Sequence, residues 1–437
     1  MLSPRDSNSR ELEESMIEIK TVDSIDAVVS IPGSKSITQR ALIAAALADG
    51  TSILHGPLVS EDTDYSSQAL NQMGVEIDKG EQSWRVNGNS GKVEEPDDDI
   101  YLGNNGTATR FLTSVASLGI GEFIIDGDER MHERPIGPLI DGLKGWGVDI
   151  ESIYRTGCPP LNILASGLAG GTTVLPEGKS SQYLSSLLLV APYAKEKAKL
   201  VVEGEILSKP YVVMTLDVMA DFGVQVEAAR DFSSFTIARG CYQPHQYHIE
   251  GDASNASYFW AAAAVTGGNV TVDNVPVPSL QGDAMLVPLL ARMGCNVKQV
   301  GNGIWVSGPA RLEPITVDMG DMPDVVPTLA VVAAFAEGAT EISNIGHLRV
   351  KECDRLRATT AELMRTGVKV DEFSDRMVIH GRGGEGMHQA EIETYHDHRM
   401  AMSMAVAGLR IPGIVILEEG CVAKSFPDFW ERFAQLY

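Results

Sequence analysis

Residues 40–56, RALIAAALADGTSILHG, run an Ala/Leu-rich segment through a glycine turn into a short alternating segment. A run that is apolar on every face predicts a buried helix, and the alternation after it predicts a strand. The same construction returns at residues 256–275, ASYFWAAAAVTGGNVTVDNV. Further out, a second signature recurs: MGVEI from Met73, WGVDI from Trp146, FGVQV from Phe222, MGCNV from Met293 and TGVKV from Thr366. Gly74, Gly147, Gly223, Gly294 and Gly367 stand 71 to 76 residues apart. Each follows a helix-period stretch, where a C-cap glycine belongs, and each leads into a short strand. A further strand ends on a glycine soon after, as in SWRVNG, IWVSG and RMVIHG. The unit is helix–strand–helix–strand–strand, longer than any usual solenoid repeat and large enough to be an α/β module.

Counting the alanine-rich helices gives six units, starting near Gly33, Gly103, Gly178, Gly251, Asp321 and Tyr395. The sixth ends without its last strands, while the N-terminal MIEIKTVDSIDAVVSIPG has strand character and no unit of its own. The two termini are therefore expected to complete one unit together. Three units per domain predicts an α/β protein of two similar domains, one formed by residues 17–33 plus 251–437 and the other by 34–250. The chain then crosses between them twice, near Pro32–Gly33 and Glu250–Gly251, which favours a hinge and a cleft that can close. Residues 1–16 are polar and are expected to form a disordered tail.

Composition narrows the function classes. The chain of 437 residues carries a net charge of −24, so its surface repels polyanions and nucleic acid is not an expected partner. No apolar run is long enough to span a membrane and no apolar signal core opens the chain, so a cytoplasmic protein is expected. The five cysteines are scattered without a CxxC pair, which predicts free thiols, no zinc site and no disulfide. A monomer without metal or cofactor is expected.

The polar residues collect where helices start. First helices open with Lys35-Ser36, Asn104-Asn105-Gly106-Thr107, Ser180-Ser181-Gln182, Asp324 and Asp397-His398-Arg399; second helices open near Arg130 to Arg134, Ser208-Lys209, Arg349 to Arg355 and Lys424-Ser425. Ordinary N-capping accounts for Thr107, Ser180 and Ser208. It does not account for Lys35, Arg40, Arg134, Lys351, Arg355, Arg399 and Lys424, because a helix N-terminus disfavours cations. Cations gathered there in an acidic protein point to bound anions. Three local motifs mislead. GSKS lacks the glycines of a phosphate-binding Walker loop, GRGGEG (381–386) has no apolar helix after it, and His396 and His398 have no carboxylate–cysteine set to complete a metal site.

PGSKSITQRAL, GNNGTATRF, RMHERPIGPL, SSQYLSSLLL, SKPYV, RVKECDRL, YHDHRMAM and AKSFPDF together resemble the 3-phosphoshikimate 1-carboxyvinyltransferase (EPSP synthase) family, from about residue 17 to the C-terminus. The resemblance implies two domains of three βαβαββ units each, arranged like inside-out α/β barrels around a cleft. It also implies transfer of the enolpyruvyl group of phosphoenolpyruvate to the 5-hydroxyl of 3-phosphoshikimate, in the shikimate pathway to chorismate and the aromatic amino acids. The residues that match the family's 3-phosphoshikimate contacts are Lys35, Ser36, Arg40, Ser180, Ser181, Gln182, Ser208, Asp324, His347 and Lys351. Those that match its phosphoenolpyruvate contacts are Lys35, Gly106, Arg134, Gln182, Arg355, Arg399 and Lys424. Asp324 matches the proton acceptor, Glu352 the carboxylate near the methylene carbon, and Lys35 touches both substrates. Gly106 leaves room beside phosphoenolpyruvate, so sensitivity to glyphosate is expected.

The chain departs from the family pattern at His347 and Gln39, where Asn is frequent, and at Asn105, where Ala is frequent and which falls in the phosphoenolpyruvate loop. Two alternatives stand beside this reading. UDP-N-acetylglucosamine enolpyruvyl transferases resemble the chain in fold and donor, but have Asn at the position of Ser36 and a cysteine where the chain reads DERMHERP. A non-catalytic repeat scaffold would have no use for the cations at helix starts.

Overall fold

A computed structural model describes residues 15–176 and 180–437. The unit start expected near Gly178 lies outside the described residues, as does the expected tail apart from Ser15 and Met16. Twelve helices are described: α1 (Lys35–Leu47), α2 (Glu61–Gln72), α3 (Gly106–Ala116), α4 (Gly137–Gly145), α5 (Ser181–Val190), α6 (Lys209–Asp221), α7 (Ala253–Thr266), α8 (Leu286–Arg292), α9 (Val326–Ala334), α10 (Arg355–Arg365), α11 (His398–Gly408) and α12 (Phe429–Phe433).

The odd-numbered helices are the apolar ones, rich in alanine or, in α5, leucine, and they form the interior. Every residue of α7, α9 and α11 is buried, as a sequence apolar on all faces requires. Their few hydroxyls satisfy one another: Ser257 Oγ lies 3.1 Å from Thr328 Oγ1, which lies 3.3 Å from Ser403 Oγ, so small side chains let three helices meet closely. Buried apolar residues fall into two clusters. One holds α1, α3 and α5 and runs from Ile37 to Ile249, here the middle domain; the other holds α7, α9 and α11 with Ile19 to Ile31, here the terminal domain.

Around each helical centre stand three small sheets, and five of the six described share one four-stranded topology while the sixth has three strands. In the clearest unit, Ile100–Tyr101 pairs parallel with Ile120–Asp126, which pairs antiparallel with Leu161–Ser166, which pairs antiparallel with Asp149–Ser152. With α3 and α4 between them, these strands make a βαβαββ unit. The repeated glycines end the second helices in the left-handed region, with φ of +84°, +84°, +85°, +102° and +92° at Gly74, Gly147, Gly223, Gly294 and Gly367. That conformation is why glycine recurs at this position.

Two sheets borrow their first strand across the domain crossing. Gln246–His248 pairs parallel with Thr51–His55, and Asp26–Val29 pairs parallel with Asn269–Val272. The sixth unit is closed by the N-terminus, because Met16–Glu18 pairs antiparallel with Ile414–Leu417. The two crossing segments lie side by side, bridged at Gly33 and Gly251. A Cβ on Gly33 would stand 2.0 Å from the Gly56 carbonyl oxygen, so only glycine lets the strands cross there. Among the described residues no helix is long and apolar enough to cross a membrane.

Candidate active site

The N-termini of α1, α3, α5, α6, α9 and α11, and the segment leading into α10, open on the cleft between the domains. Lys35, Ser36, Arg40, Arg134, Ser180, Ser181, Gln182, Ser208, Asp324, His347, Lys351, Glu352 and Arg399 line one cavity there, together with Thr107, Arg110 and Tyr211. Lys424 lines the adjoining recess with Asn104, and Gly106 and Arg355 lie directly behind the wall. Lys424 itself ends a 3₁₀ turn (Glu419–Lys424), five residues before α12, rather than opening a helix as the sequence pattern suggested.

One wall carries cations without counter-ions. Arg40 is 1% exposed; its Nε donates to Thr215 Oγ1 at 2.7 Å, Nη1 to the Ser36 carbonyl at 2.9 Å and Nη2 to Ser185 Oγ at 3.3 Å. Burial pushes its pKa down to about 10. Arg110 is held likewise by carbonyls of Gly106 and Pro135, at 3.0 and 2.8 Å, and burial with neighbouring Arg134 also pushes it down to about 10. Among the described residues no carboxylate lies within ion-pair distance of Arg40, Arg110 or Lys351. Burial, together with Arg355 and Arg134, lowers Lys351, although Asp324 and Glu352 oppose this.

The opposite wall carries an ionic network. Arg355 donates to Asp397 through Nε and Nη2 at 2.7 and 3.2 Å, to Asp324 at 3.1 Å, and pairs with Glu352 at 2.7 Å. Arg399 reaches Asp324 Oδ2 at 2.7 Å. Burial alone would raise the Asp324 carboxyl, but Arg399, Lys351 and Arg355 outweigh it and hold the group below the usual carboxylate range. Glu352 follows the same pattern: burial raises it, and Arg355, Arg134, Lys424 and Lys35 bring it well below its ordinary value. His347 has no partner for either ring nitrogen among the described residues, and burial with Lys351 pushes it down to about 4, so it faces the cavity neutral.

Several residues that position the site were given no role by the sequence reading. Asp62, 2% exposed, bridges Lys35 at 3.0 Å and Lys424 at 3.1 Å; in SEDTDY it reads as an ordinary acidic first turn. Asn104 holds Arg134 through its side chain at 2.8 Å and its carbonyl at 3.1 Å. Arg130 crosses the cleft to the carbonyls of Glu352 and Lys351 at 3.2 and 3.1 Å. The paired histidines diverge: His396 is exposed, whereas His398 is fully buried and is kept neutral by burial and by Lys35, Arg399 and Arg355. Asn105 does not point into the cleft. Its side chain accepts from the Ala108 N–H at 3.0 Å, capping α3, and from Gln39 Nε2 at 3.3 Å, so two departures from the family pattern are partners of one another.

Fold and cleft together define a two-domain α/β protein with a cation-lined cleft between its domains. The chain belongs to the EPSP synthase (3-phosphoshikimate 1-carboxyvinyltransferase) family, whose model matches residues 19–433. It is 45% identical over 424 residues to the 3-phosphoshikimate 1-carboxyvinyltransferase of Nostoc punctiforme, covering 96% of this chain and 99% of that protein. It is 40% identical to that of Methanothermobacter thermautotrophicus, covering 96% and 98%. The solved EPSP synthase of Acinetobacter baumannii superimposes with a TM-score of 0.81 at 27% identity, covering 96% of this chain and 98% of that one.

Proposed function

We propose that the chain transfers the 1-carboxyvinyl group of phosphoenolpyruvate to the 5-hydroxyl of 3-phosphoshikimate, releasing phosphate. The observation that carries this reading is a pair of buried arginines without carboxylate partners among the described residues, Arg40 and Arg110, facing an ionic network across one cleft, with Lys351 unpaired beside that network. A polyhydroxylated phosphate ester suits the first wall, where Ser36, Ser180, Ser181, Gln182 and Ser208 add donors beside Arg40. Phosphoenolpyruvate suits the second, where Arg134, Arg355, Arg399 and Lys424 supply charge for its carboxylate and phosphate. Lys35 stands at the start of α1, where it can touch both anions.

The chemistry is addition followed by elimination. The 5-hydroxyl attacks C2 of phosphoenolpyruvate and passes its proton to Asp324, while C3 takes a proton from an acid. Phosphate then leaves and C3 returns a proton to the same group, for which Glu352 is the assignment. Both carboxylates are pinned by guanidiniums, so as they stand Asp324 is a poor base and Glu352 is ionised; Glu352 takes up the proton it gives to C3 only once bound substrate draws Arg355 away from it. The substrate carboxylate competes for Arg355 and Arg399, and loosening those pairs raises Asp324 toward the proton affinity its task requires. The surrounding cations stabilise phosphate as it departs.

The domain boundaries belong to this reading: residues 17–33 plus 251–437 form one body and 34–250 the other, closing about Gly33 and Gly251. The two apolar clusters and the two borrowed strands support that division. The protein acts as a cytoplasmic monomer, without metal, cofactor, nucleic acid or membrane. Phosphate release measured with both substrates, with each alone, and with UDP-N-acetylglucosamine in place of 3-phosphoshikimate tests the activity. Release that requires both substrates is expected; release with the nucleotide sugar instead would overturn it.

A further inference from the structure

One contact between the domains is not used by the proposed reaction. The first turn of α6 meets the terminal domain where Ser208 gives both its N–H and its hydroxyl to the Gly320 carbonyl, each at 3.2 Å. The Lys209 N–H donates to Asp321 Oδ1 at 3.0 Å, and the Tyr211 hydroxyl donates to Asp283 Oδ2 at 3.3 Å. Two features show that close approach is built in. Ser208 has φ +58°, a left-handed conformation that a non-glycine residue keeps only where its surroundings hold it. Gly282, beside Asp283, has no room for a side chain: a Cβ would stand 2.7 Å from Cβ of Pro210 and 3.2 Å from the Asp321 carbonyl oxygen.

Asp283 is 3% exposed, belongs to the terminal domain and has been given no part in the chemistry. Its Oδ2 also accepts from the Ser254 hydroxyl, and its Oδ1 is buried without a partner among the described residues. Asp324, Arg399, Asp252 and Tyr211 are the charged and titratable groups around it. Burial, then Asp324, pushes its carboxyl up to about 7, against the opposing pull of Arg399. On the other side of the contact, Tyr211 lines the cavity and its ring lies 5.8 Å from the Arg40 guanidinium. Thr215, which holds Arg40 Nε, donates its own hydroxyl to the Tyr211 carbonyl at 2.8 Å.

We propose that Asp283 is a positioning residue for the transfer: it receives the Tyr211 hydroxyl as the cleft closes, and thereby couples closure to the wall that carries Arg40. The inference rests on the functional reading above for its kinetic consequences. Asp283→Ala and Tyr211→Phe are each expected to raise KM for 3-phosphoshikimate about fivefold to tenfold with kcat changed less than about twofold, the scale of one hydrogen bond. Because both remove the same contact, the double variant should be no worse than the poorer single one. Gly282→Ala, which touches no substrate, should raise the same KM and enlarge the radius of gyration in small-angle X-ray scattering. Effects of the two hydroxyl–carboxyl variants that multiply, or a Gly282→Ala protein as compact as wild type with an unchanged KM, would overturn the proposal. If Asp283→Ala fails to fold, Tyr211→Phe and Gly282→Ala still decide. If wild type releases no phosphate, the functional reading fails, while scattering from free Gly282→Ala against free wild type continues to test the contact.

Discussion

Gly106→Ala adds one methyl group where the first turn of α3 meets Arg134. The new Cβ would stand 2.3 Å from Nη2, 2.6 Å from Cζ and 2.9 Å from Nη1 of that guanidinium, where ordinary contact begins at 3.4 Å. The guanidinium must therefore retreat by about 1 Å, a displacement that at a binding group can cost about 100-fold. It cannot retreat freely, since Arg134 is 3% exposed and is tied to Asn104 at 2.8 and 3.1 Å. Losing one such charge-assisted bond costs about 1.5–3 kcal/mol, or roughly 10- to 100-fold in affinity. Steady-state phosphate release should thus show KM for phosphoenolpyruvate raised by roughly 10- to 100-fold. KM for 3-phosphoshikimate, for which Arg134 is not a proposed contact, should stay within about twofold. Glyphosate, expected to inhibit the wild type, should lose potency in parallel. An unchanged KM for phosphoenolpyruvate, or an equal rise for both substrates, would show that Arg134 does not serve the phosphoenolpyruvate side.

Asp324→Asn keeps the shape of the base and removes its charge, so kcat should fall by about 10²- to 10⁴-fold while calorimetry still detects binding of both substrates; a loss below about tenfold would move the base elsewhere. Asp62→Asn strands two ammonium groups that now share one buried carboxylate, and urea unfolding should report a loss of about 3–5 kcal/mol. A loss under about 1 kcal/mol would mean that water already screens the pair. His347, pushed down to about 4, binds its proton less readily folded than unfolded, so stability should fall as pH drops from about 6.5 towards 4. The fall from this group is at most about 3 kcal/mol. Melting at pH 7 and pH 5 should therefore differ less in His347→Asn than in wild type, and identical differences would place His347 in solvent.

What could be read in the sequence was what repeats or what violates a local rule. The glycines from Gly74 to Gly367 recur because every second helix ends in the left-handed region, and the alanine-rich helices stand out because they are buried on all sides. Lys35 and Arg399 were conspicuous because cations at helix starts have no local explanation. Asp62 and Asp283 were invisible for the opposite reason, and the role of Arg130 stayed hidden within its cluster: an acid in a first turn or an arginine in a charged loop satisfies local expectations. Their partners, Lys424, Tyr211 and Glu352, come from the other domain, and no local pattern records a contact made across a cleft. Asn105 misled for a related reason, since its position in a binding loop did not reveal that its side chain turns back to cap α3 and meet Gln39.

The central claim is a transfer in which C3 of phosphoenolpyruvate is protonated on addition and deprotonated on elimination. Running the reaction in heavy water and weighing the enolpyruvyl product by mass spectrometry tests this directly. Addition–elimination predicts deuterium in the vinyl methylene of the product, and deuterium in recovered phosphoenolpyruvate if addition reverses. A product formed with no deuterium, or phosphate released without an enolpyruvyl ether of 3-phosphoshikimate, would contradict the account.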